Sequence, residues 1–535
     1  GSNLSATRVN KSQLIEKGRE NLILQSNQFD TTWVTPDSTI TGGQADRDGG
    51  TDAWLLTATN AFHRVVQPIS QSGVKRFSVY AKANVNDYLL LGCFEGAHYY
   101  ATFNLATGAV DSNNINAISP SIENVGNGWY RCSATWVGTT TDVRIASQTT
   151  GGQNGWASTT SGSIYIQDAQ LEQGLAATSV ITTGAGTVQA GLLENTPRLD
   201  YSGGATCPSL LLEPSRSNLV TQSEYFGAWY NISQGTGSAP TLSIGGDFPL
   251  GDGKYYNLQC DLNGGNTSND RSYISKTGLN ATQFTAAKSI WIKNNSASEA
   301  VLFIGINFTA DKFTLAPNAD WQRITIEGGV INTEFRIGLG GGASQSNTID
   351  VSIFGAQCEQ GSYATSYIPT YGTSQTRAGD SCYLQNADVH SSGAGTIFFE
   401  VGDYDTNTST SGFNKILVFD EVNTTNLDNV IYFEEYAGNN TILIRKGGST
   451  LLQSTPNYQD LRGSKIAIKW SSEEAKIFID GVLNKTYTGD ASLDIQYFGF
   501  DNPYNGQIVS TIKMKQLAGF PTALSDDECI ALTTI

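Results

Sequence analysis

The chain has 535 residues, 57 of them glycine and one methionine, with 15% charged residues and a formal net charge of −17. That length exceeds one hydrophobic core and calls for three or four domains, and 39% apolar residues are enough to pack them, which excludes a disordered chain. The shortage of strong helix formers excludes a mainly helical protein, and the acidic balance without a basic patch excludes a nucleic-acid binder.

The acidity suits neutral sugars or Ca²⁺ as partners, and it equally suits a large β protein kept soluble by its charge. No run of 18 apolar residues occurs, so no helical membrane span is expected. The seven cysteines, at 93, 132, 207, 260, 358, 382 and 529, are scattered and odd in number, with no CxxC pair. This argues against a zinc site and against a disulfide framework. Gly1-Ser2 reads as a cloning scar, so nothing follows from the lack of a leader.

Residues 1–20 form a polar N-terminal arm with room for one helical turn or an extended segment. From Asn21 the pattern becomes β. Phe77, Val79 and Ala81 alternate with Arg76, Ser78, Tyr80 and Lys82, the period of a half-buried strand. Further strands are predicted over 87–94, 98–105, 128–136 and 163–171, separated by Gly-rich turns such as Asp48-Gly49-Gly50 and Gly126-Asn127-Gly128. This spacing predicts an antiparallel sandwich over 21–183. Residues 184–215, with two Pro-containing turns around a Gly-Gly break, read as a stiff extended connector.

The first unit then returns. Asn21-Leu22, Gln25-Ser26, Phe29 and Trp33 reappear as Asn218-Leu219, Gln222-Ser223, Phe226 and Trp229. Gly128-Trp129-Tyr130-Arg131 matches Asp320-Trp321-Gln322-Arg323, and Ala169-Gln170-Leu171-Glu172-Gln173-Gly174 matches Ala356-Gln357-Cys358-Glu359-Gln360-Gly361. Blocks recurring in one order with drifting offsets predict a second copy of the sandwich over 216–372. A third unit, 376–535, carries alternating runs at 395–401, 414–420, 429–436, 441–446, 464–470, 475–481 and 511–517. Ser525-Asp526-Asp527-Glu528 predicts the capping box of a short closing helix. The fold class read from these patterns is all-β: three sandwiches in tandem joined by the connector.

The blocks NLILQSNQF, GNGWYRCS and IYIQDAQLEQG, with a second copy ending GSYATSYIPT, resemble the jelly-roll, carbohydrate-binding-module-like domains of bacteriophage virion proteins. SATRVNKSQLIE and NTPRLDYSGGATCPSLLLEPSRSNLV are similar to linking segments of phage tail-fibre and head-appendage proteins. KIAIKW, AKIFIDGVL and the closing helix resemble a concanavalin A-like, laminin-G-type domain. The resemblance implies a virion-surface adhesion or decoration protein, extracellular, that binds host-surface or environmental glycans and neighbouring virion proteins. A homotrimer is one assembly of that class, although no heptad or β-helix stalk fixes it here.

Catalysis has little material. Three histidines, His63, His98 and His390, lie in different units, and no HExxH motif or P-loop occurs. A non-enzymatic protein is expected; the alternatives are a decoration protein without ligand and a glycan-active hydrolase with accessory modules. Sugar binding needs exposed aromatic faces beside amides and carboxylates, and the candidates are Tyr99, Tyr100, Trp156, Tyr230 and Tyr504. Tyr99 and Tyr100 are consecutive, so one should face inward and one outward. Trp129, Trp291, Trp321 and Trp470 are expected in the core. Candidate calcium ligands are Asp30 and Asp168 in the first sandwich, on the family pattern, and Asp420, Glu421 and Asp501 in the third unit. The alternative for each is an ordinary solvated turn carboxylate.

Overall fold

A computed structural model describes residues 3–534 except 113, 152–158, 280–283, 306–310, 332, 341, 343–344, 391–392, 405–413, 421–427, 437–438, 455–459 and 501–510. The fold is all-β, and among the described residues every strand pairing is antiparallel apart from an isolated bridge between Ile15 and Gly251.

In the first unit nine strands form one hydrogen-bonded array folded into two layers. Two long strands make the fold: Val65–Ala83 and Trp129–Gln148 pair along nearly their whole length, from Val65 opposite Ile145 to Lys82 opposite Trp129. Gly73 and Gly138 face one another midway, both at positive φ. A side chain at Gly73 would strike the Tyr371 carbonyl oxygen, 1.9 Å from an ideal Cβ position. The missing side chain lets the amide of Val74 donate to that carbonyl at 2.7 Å, which ties the first sandwich to the second.

The second unit keeps the strand order but divides the array into two five-stranded sheets. One runs Thr241–Asp247, Lys254–Asp261, Thr348–Gln360, Phe284–Asn294, Gln322–Ile331. The other runs Tyr230–Gln234, Arg271–Thr277, Glu334–Gly340, Ala300–Gly305, Lys312–Leu315. Where the first unit has continuous strands, each is broken here, between Thr277 and Phe284 and between Ile331 and Glu334.

The blocks that recur in sequence form the clasp of each sandwich. The Asn21 amide donates to the carbonyls of Ala169 (3.2 Å) and Ile181 (2.8 Å), and its oxygen accepts from the amides of Ile23 and Leu171. Asn218 repeats this with Ala356 (3.2 Å), Ile368 (2.8 Å), Val220 and Cys358. Gln170 and Gln357 accept from the amides of Ile181 and Ile368, and Glu172 and Glu359 cap Thr178 and Thr365. These buried bonds account for the repeat without invoking a ligand.

In the third unit a seven-stranded sheet packs on a six-stranded one. The predicted connector does more than space the units. Leu199–Asp200 and Ser209–Leu212 are strands of that seven-stranded sheet, with Leu210–Leu212 paired to Ile512–Met514. The hairpin of Lys465–Trp470 and Glu474–Ile479 forms as expected. Asp480 and Gly481, both at positive φ, turn the chain into Val482–Thr488, the geometry of a two-residue hairpin loop. The capping box closes the helix Asp526–Thr533, which packs Cys529 on Ala467 and Phe478.

The arm folds back as a hairpin, Thr7–Val9 with Ile15–Lys17. It wedges between units: Lys17 Nζ meets Glu224 at 2.9 Å, and Thr7 donates to the Tyr367 carbonyl at 2.7 Å. Beside it, Glu213 of the connector accepts from Arg198 (2.8 Å), Arg377 (3.0 Å) and both the amide and hydroxyl of Ser366, while Arg198 also pairs with Asp380. Burial alone would raise the Glu213 carboxyl, but the two guanidiniums and Ser366 outweigh it and hold it down at about 2.

Candidate functional site: a polar trough on the second sandwich

Within the strands Thr241–Asp247, Lys254–Asp261 and Thr348–Gln360, side chains alternate over 241–244, 254–261 and 348–353. Leu242, Ile244, Tyr256, Leu258, Val351 and Ile353 point into the core. Their neighbours Thr241, Ser243, Tyr255, Asn257, Gln259, Asp350 and Ser352 line the outer face together with Lys293, Asn295 and Trp321. The register sets Ser243, Asn257, Ser352 and Lys293 in one row across four strands, and Thr241, Gln259 and Asp350 in the next. These residues surround a trough of about 370 Å³.

The floor is a hydrogen-bonded lattice. The Gln259 amide donates to Asp350 Oδ2 at 2.7 Å and the Asn295 amide to Asp350 Oδ1 at 3.0 Å. Asn295 also donates to Ser352 Oγ at 3.0 Å, and Ser352 donates to Asn257 Oδ1 at 2.8 Å. Side chains fixed in this way present donors and acceptors without losing rotamer freedom on binding. One wall is aromatic: the Trp321 ring is half-buried, edge-on to Tyr255 (5.4 Å) and to Phe248 (5.0 Å), which hold its plane. Lys293 stands at the rim, 3.7 Å from Asp320. A rigid ring face beside amides, hydroxyls and one carboxylate is the chemistry that grips a polyhydroxylated ring.

The same face of the first sandwich is filled. Tyr165 there has the neighbours Leu55 and Lys82, as Ser352 has Asn257 and Lys293. Tyr165 packs 6.5 Å from Trp129, whose ring is only 1% exposed, in an apolar cluster with Ala53, Tyr80 and Val180.

Trp129, Trp291 and Trp470 are core residues as expected, whereas Trp321 differs. With the small Ser352 where the first sandwich has Tyr165, the ring is half-buried rather than enclosed. Tyr100 is also unlike its expectation: it faces away from the main core, yet it is 1% exposed against Leu90 and Ala146, because the segment around Ile115 bridges to its backbone and covers it. Tyr99 is half-buried against the main core. Tyr230 is 61% exposed on an edge strand of the opposite sheet, away from the trough. Trp156 and Tyr504 lie outside the described residues, as do Glu421 and Asp501.

Of the other acidic candidates, Asp30 is exposed, and Asp420 is buried on the strand Asn414–Asp420. Asp168 is buried and ion-paired to Arg47; burial raises its carboxyl despite that partner. Among the described residues no three His, Cys, Asp or Glu side chains converge as a metal site. His63 lies 3.1 Å from Ser147 Oγ, but its other nitrogen meets the Thr159 carbonyl and the ring is wholly buried, so this pair is closed to a substrate.

The trough residues are not among the exposed aromatics that sugar binding first suggests in the sequence. A signal existed. In KYYNLQCD and TIDVSIFG one strand face carries the polar runs Asn257, Gln259, Asp261 and Thr348, Asp350, Ser352, while the matching copies read AWLLTA and SIYIQDAQ, with Leu55 and Tyr165 in place of Asn257 and Ser352.

No protein-family model matches the sequence, and no curated protein matches it. Among solved structures the chain is similar to the family 40 carbohydrate-binding module of the Ruminococcus gnavus IT-sialidase bound to α2,3-sialyllactose, at 20% identity over 26% of this chain and 83% of that one (TM-score 0.21). It is also similar to the tandem family 51 carbohydrate-binding modules of the family 98 glycoside hydrolase from Streptococcus pneumoniae, at 10% identity over 64% of this chain and 99% of that one (TM-score 0.19). A third is the LG1–3 region of the laminin α2 chain, at 10% identity over 86% and 96% (TM-score 0.18).

Proposed function

We propose that this protein is a non-enzymatic glycan-binding adhesin of a virion surface, and that the second sandwich carries its glycan site. The observation behind this reading is the trough: a half-exposed Trp321 ring beside a fixed amide, hydroxyl and carboxylate lattice. The virion setting rests on the resemblance of the linking segments and sandwich blocks to phage appendage proteins. The first sandwich, with its trough filled, and the connector strands inserted into the third unit support a structural role for the rest of the chain.

A glycan array probed with the whole protein, in Ca²⁺ and again in chelator, tests this. The trough reading expects a defined glycan signal in both buffers and its loss in Trp321→Ala. Signal that disappears with chelator and survives Trp321→Ala would move the site to a calcium centre among candidates such as Asp420, Glu421 and Asp501. Silence of the wild type in both buffers would leave the decoration role alone.

A further inference from the structure

Resting on that glycan reading, we infer that the trough takes an uncharged polyhydroxyl chain and discriminates against its carboxylated or sulfated counterparts. The charged groups facing the trough are few. Asp350 lies in the floor, from the strand Thr348–Gln360. Lys293 comes from the end of Phe284–Asn294 and meets Asp320, which lies outside the lining in the turn that precedes Gln322–Ile331. The two strands on the far side contribute no charge to the lining: Lys254 and Asp247 are paired with each other at the hairpin end, 2.7 Å apart, and Asp261 lies beyond Gln259, outside the lining, where it accepts from the Asn263 amide. Two carboxylates thus stand against one ammonium, and that ammonium is already shared with the 86% exposed Asp320.

The hydrogen-bond inventory points the same way. Asp350 is an acceptor only. Its two oxygens take one amide N–H each, from Gln259 and Asn295, and so retain acceptor capacity for a ligand. The Gln259 carbonyl is a further acceptor, because the same amide's nitrogen is committed to Asp350. On the donor side stand the amide nitrogen of Asn257, whose oxygen is taken by Ser352, the ammonium of Lys293, and the hydroxyls of Thr241, Ser243 and Tyr255, which can also accept. Sugar hydroxyls both donate and accept, so they can satisfy this mixed lattice. A ligand carboxylate or sulfate only accepts; it cannot satisfy Asp350, and placing it near that carboxylate adds like-charge repulsion in a partly desolvated site. The net charge of −17 opposes the approach of an anionic chain as well.

The test uses one neutral polysaccharide that binds the full-length protein, before and after oxidation of its primary hydroxyls to carboxylates, so that the backbone is unchanged. Affinity electrophoresis at low salt should show the oxidised chain at least tenfold weaker, with the gap shrinking as salt is raised. Asp350→Asn should narrow the gap at low salt. Asp320→Asn, at a solvated position that leaves the fold untouched, should narrow it by less, and it serves if Asp350→Asn does not fold. Equal or tighter binding of the oxidised chain, or a ratio unmoved by the charge-removing variants, overturns the inference while leaving the glycan site standing. Failure of every neutral and charged polysaccharide to bind overturns both.

Discussion

The two sandwiches share their strand order, their clasp and their Phe-Trp pair, Phe29–Trp33 at 5.1 Å and Phe226–Trp229 at 5.0 Å, yet one outer face is closed and the other open. The difference lies in side chains at matched register positions. Tyr165, beside Leu55, packs on the buried Trp129 in the first face, whereas Asn257 and Ser352 stand at those positions in the second, where Trp321 is only half-buried beside a trough. The lesson is that the conserved scaffold of the repeat holds the sheet, and the divergent outward positions decide whether that sheet carries a site. The cores diverge under the same rule. Lys75 and Phe77 on one inward face correspond to Ala286 and Lys288, so the buried ammonium moves by two residues and its partner changes from Glu95 (2.8 Å) to Asp311 (2.6 Å).

That exchange offers the largest test. Asp311→Ala strands a Lys288 that is 0% exposed and should destabilise the protein by about 3–5 kcal/mol, read as a lowered melting temperature. Glu95→Ala should do the same to the first sandwich through Lys75. A small effect in one and a large effect in the other would break the equivalence.

The matched tryptophans should give opposite readouts. Trp129→Ala removes a buried ring and should cost about 3–5 kcal/mol of stability without changing glycan affinity. Trp321→Ala, which removes a half-buried ring, should lower melting less than Trp129→Ala does and weaken binding by about 2 kcal/mol, roughly thirtyfold.

Acid sharpens the contrast between the sandwiches and the joint that holds them. Glu213 is depressed from 4.5 to about 2 in the folded protein. Its contribution is therefore complete above pH 4.5 and is lost as the pH falls from there through about 2. Melting followed over that range should decline in wild type and decline less in Glu213→Gln, which starts from a lower stability at neutral pH. The smallest expected effect is a gain. Leu55→Asn with Tyr165→Ser should open the first face and raise calorimetric stoichiometry from one site toward two, with weak affinity at the new site.

Much of the fold is legible in the sequence because alternation and Gly-rich turns are local signals. The repeat, the Lys465–Ile479 hairpin and the Ser525 capping box all follow from such signals. The connector strands did not, since Leu210–Leu212 pair with Ile512–Met514, some 300 residues away, and nothing local marks a strand that completes a distant sheet. The site was hidden for a related reason. Its residues come from four strands and two flanking positions, Asn295 and Trp321, spread over 241–352 and become neighbours only through register, and Trp321 reads as core until the size of residue 352 is known.

Calorimetric titration of wild type and Ser352→Tyr with the strongest glycan from the array addresses that point most directly, since the substitution restores the closed face of the first sandwich. Saturable one-site binding by wild type, and none by a Ser352→Tyr protein with unchanged melting temperature, is the expected result. Undiminished binding by the variant would contradict the trough as the site.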